Sequence, residues 1–205
     1  MGINLTKGQK IDLTKGNAGL NELLVGLGWD PVASAGGGGG GGFFGKLLGG
    51  GSKVEIDCDA SVLLLNDNGK ISKKENIVYF GNLKSPCGSV QHLGDNLTGA
   101  GDGDDEQVIV QLNKVPADVQ RLVFVVNIYD SQKRKQDFGM IQNAFIRVAD
   151  KNGQELARYN LTDNYAGKTA LLVGEVYRRQ GDWKFAALGE GTHDASLSEL
   201  IAKYR

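Results

Sequence analysis

Val54-Glu55-Ile56-Asp57-Cys58-Asp59-Ala60-Ser61-Val62 alternates apolar and polar side chains. A period of two is the signature of a strand with one face on a core. Ile56, Cys58, Ala60 and Val62 take the core face, and Asp57, Asp59 and Ser61 the other. Working outward, Asn66-Asp67-Asn68-Gly69-Lys70 is a hairpin-type turn, and Ile77 to Phe80 and Val108 to Leu112 are compact strands. Leu122 to Tyr129 is apolar on both faces, which places it at the centre of a sheet. Ala144 to Val148 and Leu156 to Tyr159 form a hairpin across Asp150-Lys151-Asn152-Gly153, and Thr169 to Arg178 pairs with Trp183 to Leu188. Toward the N-terminus, Leu23 to Asp30 is a strand, and Leu5-Thr6-Lys7-Gly8 recurs as Leu13-Thr14-Lys15-Gly16, spaced as strand, turn, strand. Only the end has a helical pattern: Ser196-x-x-Glu199 is a capping box before Leu197, Leu200, Ile201 and Tyr204. The expectation is an all-β fold, a β-sandwich of two mostly antiparallel sheets with a short C-terminal helix. It forms a single domain over residues 1–205, with a glycine-rich insertion at about residues 35–52.

Composition narrows the function. With 23 Lys plus Arg against 24 Asp plus Glu, the net charge is -1, so there is no basic field to hold nucleic acid. Two cysteines and two histidines exclude a disulfide scaffold, a four-cysteine zinc site and a multi-histidine centre. No apolar run reaches the ~18 residues of a membrane span and the start has no apolar signal region, so a cytoplasmic location is expected. Gly40-x-x-x-x-Gly45-Lys46-Leu47 approaches a phosphate-binding loop but puts Leu47 where magnesium needs a hydroxyl. Phe43-Phe44-Gly45-Lys46-Leu47-Leu48 in the same insertion reads as a surface loop or a short docking patch.

The chemistry concentrates in Gly94-Asp95-Asn96-Leu97-Thr98-Gly99-Ala100-Gly101-Asp102-Gly103-Asp104-Asp105-Glu106. Two like charges 4 Å apart repel by about 4 kcal/mol at an effective dielectric of ~20, so a tight acidic turn calls for a cation. Glycines let carbonyl oxygens fold inward, and carboxylates supply charge, which is the hard oxygen set calcium takes. Asp57 and Asp59, roughly 6.5 Å apart on one strand face, offer a second rigid pair. Together the two segments can close around one or two ions. The expected metal ligands are Asp57, Asp59, Asp95, Asn96, Asp102, Asp104, Asp105 and Glu106, the expected cofactor is calcium as two ions, and Asp30 and Asn143 are further oxygen ligands. The spacing is not that of an EF-hand: counted from Asp102, position six is Gln107 and position twelve is Asn113.

The chain resembles the TerD family of tellurium-resistance and stress-response proteins. The residues that carry this are Leu5 to Leu13, Val25-Gly26-Leu27-Gly28-Trp29-Asp30, Asp57-Cys58-Asp59-Ala60-Ser61, the acidic loop from Gly94 to Glu106, Val115 to Val119, Asn143-Ala144-Phe145-Ile146-Arg147 and Val173 to Arg178. The resemblance implies a β-sandwich that binds calcium through the Asp-x-Asp strand and the acidic loop, linked to resistance to tellurite and other stress, with membrane-associated partners. The polyglycine insertion and Ile56, where an aromatic often stands, depart from the family pattern.

The favoured function is a calcium-binding, non-enzymatic interaction module of a stress response, with protein partners that place it at the membrane periphery. The alternative is a metal-dependent hydrolase in which the paired acids hold a catalytic ion. His92, three residues from Asp95, is the base such an enzyme would have, but no nucleophile motif accompanies it. Cys58 is expected in the core, Cys87 in an exposed turn, and Lys133-Arg134-Lys135 in a solvated turn. Handling of tellurite by two thiols is the weakest option.

Overall fold

Leu122 to Ile128 buries both of its faces and runs through the middle of a sheet. The computed structural model describes residues 2–32, 56–94 and 103–205. The described strands are β1 (Ile3–Leu5), β2 (Lys10–Asp12), β3 (Glu22–Pro31), β4 (Cys58–Leu65), β5 (Ile77–Val78), β6 (Val90–His92), β7 (Glu106–Gln111), β8 (Arg121–Ile128), β9 (Ile141–Asp150), β10 (Glu155–Asn160), β11 (Ala170–Arg179) and β12 (Asp182–Thr192). Two helices follow in their places, α1 (Ser131–Arg134) and α2 (Leu197–Ala202). The first sheet has the order β1-β10-β9-β3-β7-β6 and the second β2-β12-β11-β8-β4-β5. Every strand pair is antiparallel except β1 with β10. The sandwich expected from the alternating patterns is the architecture observed.

The inward residues of both sheets, among them Leu23, Val25, Leu27, Cys58, Ala60, Val62, Phe124, Ile146, Val148 and Phe185, form the core between them. A second apolar cluster lies on the outer face of the second sheet. There α2 lays Leu200 and Ile201 over Leu63, Leu65, Val123 and Val125. Full burial of each such side chain is worth roughly 1.5–3 kcal/mol, so the short helix is held by packing rather than by its own propensity. Its start is fixed by the capping box, with Ser196 Oγ accepting from the Glu199 amide at 3.2 Å and Glu199 Oε2 accepting from the Ala195 amide at 2.9 Å. Because α2 and its neighbours cover that face, all eight residues of β4 are buried.

The strand, turn, strand spacing of the repeated Leu-Thr-Lys-Gly is observed in β1 and β2, but β1 joins the first sheet and β2 the second, so the chain crosses from one layer to the other between them. Two expectations are corrected. Lys133-Arg134-Lys135 belongs to a one-turn helix and its end rather than an open turn, entered and left through Asp130 and Lys135 at φ 50 and 54. Ile77 to Phe80 is strand only at Ile77 and Val78. The glycine-rich insertion at residues 35–52 lies outside the described residues.

Candidate metal centre

Asp57 and Asp59 flank Cys58 at the start of β4. The strand's alternation turns Cys58 into the core, where it is wholly buried, and sends both carboxylates to the opposite face. They are 9% and 6% exposed, so each charge needs a partner. Asn127, opposite Asp59 in the β4–β8 register, donates from Nδ2 to Asp59 Oδ2 at 3.5 Å. Arg134 of α1 brings Nη1 to 3.5 Å from Asp57 Oδ2 while its guanidinium lies 5.2 Å from the centre of the Tyr129 ring.

The acidic loop meets this strand from the other sheet. β5 pairs with β4 only at Val62 and Leu63, which leaves the edge at Ala60 open. Glu106, inward-facing on β7, fills it: Oε2 accepts from the Ala60 amide at 2.7 Å and lies 3.0 Å from His92 Nε2. His92 Nδ1 accepts from the Gly94 amide at 3.1 Å, which places the ring proton on Nε2, donated to Glu106. His92 is therefore not poised as a base. It is buried, with both nitrogens engaged, and ties the two ends of the 94–106 loop together.

Asp105 is bound to β3. Its amide donates to the Leu27 carbonyl at 2.8 Å, and its Oδ2 accepts from the Trp29 amide at 2.7 Å. Burial, with the charges of Asp30 and Asp104 adding, pushes its carboxyl above the ordinary range despite the Trp29 bond. Asp104 departs from expectation. Its side chain is 1% exposed and takes both oxygens to Arg147, from Nε and Nη2 at 2.6 Å each, with Gln107 Nε2 at 2.9 Å. It lies over Gly26, where any Cβ would overlap the carboxylate. Asp104 is thus neutralised by Arg147 on the first sheet and is not offered to an ion beside β4. Asp95, Asn96 and Asp102 lie outside the described residues. Asp30 and Asn143 are joined to each other, Nδ2 to Oδ2 at 2.9 Å.

Cys58 registers the convergence. Its thiol is pushed well up, first by burial and then by the charges of Asp59, Glu106, Asp57 and Asp105. Glu106 of the first sheet thus reaches the strand end that carries Asp57 and Asp59. Among the described residues, no three His, Cys, Asp or Glu side chains already stand as a ligand set for a metal. The donors at hand are hard oxygens, since Cys58 faces the core and His92 is committed, and that chemistry suits calcium rather than zinc or copper. Arg147, Asn127 and the Trp29 amide hold these acids without a role in the sequence reading, and Arg134, read there as part of a solvated turn, pairs with Asp57. Arg147 has a legible signal only in its alternation with Ile146 and Val148 on β9, which marks it as outward-facing.

Among the described residues no helix is long and apolar enough to cross a membrane. The sequence model of the TerD domain matches residues 1–204. The chain is 64% identical, over all 205 residues and the whole of the relative, to the stress response protein SCP2 of Bacillus subtilis (strain 168). It is 42% identical to the tellurium resistance protein TerD of Serratia marcescens, covering 100% of this chain and 97% of that one. A crystal structure of a homologue of the telluride resistance protein TerD from Streptomyces coelicolor A3(2) shares the fold, with a TM-score of 0.62, 20% identity, and coverage of 88% of this chain and 98% of that one. The sequence match runs nearly end to end, and the chain belongs to the TerD family of tellurium-resistance and stress-response proteins.

Proposed function

We propose that this protein is a calcium-binding sandwich that acts as an interaction module in the response to tellurite and other chemical stress. Calcium is held by Asp57 and Asp59 of β4 together with the acidic loop, and two ions are expected. The observation that carries the reading is the meeting of the buried Asp57 and Asp59 of β4 with the end of the acidic loop, whose Glu106 bonds to the Ala60 amide of the same strand. Carboxylates gathered this closely repel, and a divalent cation offsets the repulsion. Binding then fixes the loop against β4 and creates a surface for protein partners, which in a cytoplasmic protein can include partners at the membrane. No nucleic-acid partner is proposed, because the net charge is -1. The buried and doubly bonded His92 gives the hydrolase alternative no base.

Thermal unfolding with chelator and with calcium tests this. At 100 times its dissociation constant, one site adds about 2.7 kcal/mol. Asp57→Asn and Asp59→Asn should shrink that gain, and Asp118→Asn, on an exposed turn, should leave it whole. Equal calcium gains in all three variants would remove β4 from the metal site, and calorimetric titration gives the number of ions.

A further inference from the structure

A cavity of about 610 Å³ opens on the outer face of the second sheet, between β4 and β8, the segment around β5, and the start of α2. That volume falls within the roughly 300–1,000 Å³ of small-molecule sites. Its lining includes Asp59, Ser61 and Asn127 together with Tyr79, Phe80 and Tyr129. Ser61 is 1% exposed and Asn127 6%. Among the described residues, neither Ser61 Oγ nor Asn127 Oδ1 has a hydrogen-bond partner. The Asn127 orientation is set by its neighbour: the amide nitrogen faces the Asp59 carboxylate, so the oxygen must point away from it. A buried, unsatisfied oxygen is destabilising, and two in one cavity call for a ligand that brings donors.

The other lining groups narrow the class. Asp59, Glu75 and Asp130 give the cavity carboxylates, while Lys74 keeps its ammonium 3.9 Å from Glu75 and Arg205 is the other cation. Phe80 and Tyr129 are 47% and 44% exposed, and Tyr79 packs edge-on to Phe80 at 5.3 Å. Aromatic faces beside buried oxygen acceptors attract an organic cation with an apolar stem. A hydrated metal ion has no use for the aromatic walls, and for an anion the three carboxylates outnumber the two cations.

We propose that this cavity binds an alkylammonium group, with Ser61 and Asn127 receiving its N–H donors and Phe80 and Tyr129 covering its stem. The group can be carried by a free aliphatic diamine or by a lysine side chain. The cavity does not depend on the calcium reading, although Asp59 borders both.

The test is an amide NMR titration of the full chain, with saturating calcium and again with chelator. One arm uses 1,5-diaminopentane and a second uses N-acetyl-lysine methylamide; the tighter of the two identifies the source. The controls are diacetylated 1,5-diaminopentane and glycerol. Saturable shifts at Ser61, Asn127 and Phe80 are expected with the amines and not with the controls. Ser61→Ala and the exposed Phe80→Ala should each weaken binding about fivefold. Equal binding of the diacetyl analogue, unchanged affinity in both variants, or shifts confined to residues 103–106 would overturn the assignment. Loss of amine binding with calcium stabilisation intact would sink the cavity alone, and the reverse pattern the calcium reading alone.

Discussion

Glu106 of the first sheet accepts a hydrogen bond at 2.7 Å from the amide of Ala60 in the second. A side chain thus does across the sandwich what a neighbouring strand does elsewhere along β4. Glu106 is buried and the same oxygen also bonds His92, so two buried donors depend on it. This bond joins the Asp-x-Asp strand to the end of the acidic loop.

Removing that acceptor should be costly. Glu106→Ala leaves the Ala60 amide and His92 Nε2 buried without it, and each orphaned group costs about 1–3 kcal/mol. Glu106→Gln keeps an oxygen for both donors and should cost about 1 kcal/mol. Urea unfolding of the two variants in chelator checks the difference. Equal losses would mean that the charge, rather than the acceptor, fixes the loop.

Asp104 is expected to behave unlike the other acids. Its charge is already matched by Arg147, so Asp104→Asn should destabilise the protein rather than relieve repulsion. Arg147→Ala strands a buried carboxylate and should cost about 3 kcal/mol, at the lower end for a broken buried pair because the arginine is partly exposed. The double variant, with both residues changed to Ala, should lose less than the sum of the single losses, the mark of direct coupling. Gly26→Ala should evict the Asp104 carboxylate and mimic Asp104→Asn in the same unfolding experiment.

Asp105 gives a pH dependence of known sign. Its carboxyl is raised in the folded state, chiefly by burial. A raised acid contributes stability that is full below the unfolded value and is lost as pH rises through the folded one. In chelator, Asp105→Asn should therefore be more stable than the wild type at pH 7, because asparagine still accepts from the Trp29 amide without the buried charge. The advantage should fade as pH falls through the raised carboxyl range toward the ordinary 3.8. Thermal midpoints of both proteins from pH 7 to pH 3 measure this, and a constant gap would rule out titration of Asp105 as its cause.

The two thiols should differ sharply in reactivity. Cys58 is pushed up by burial and by four carboxylates. At Cys87, burial works to raise the thiol, but hydrogen bonds from Ser85 and Ser89, with backbone bonds added, bring it below its ordinary value. Its Sγ lies 3.0 Å from Ser89 Oγ. Iodoacetamide on the native protein should modify Cys87 alone, with Cys58 labelled only after unfolding, as peptide mass mapping will show.

The sequence by itself determined the class of fold and which residues of its clearest strands point inward. Alternation along Ile56 to Val62 put Cys58 inside and the two aspartates outside, and the doubly apolar Leu122 to Ile128 marked the sheet centre, because a period of two depends only on local backbone geometry. It determined the gathering of acids in the loop, and the family with it. Only the tertiary structure decided which acid meets which partner. Asp104, Asp105 and Glu106 are consecutive, yet one turns to Arg147, one to the Trp29 amide and one across to Ala60. Those partners are 43, 76 and 46 residues away, and no local pattern encodes a contact made by packing one sheet against another. The same holds for the unsatisfied oxygens of Ser61 and Asn127: they become a cavity only because α2 and the segment around β5 close over a face that sequence alternation assigned to solvent.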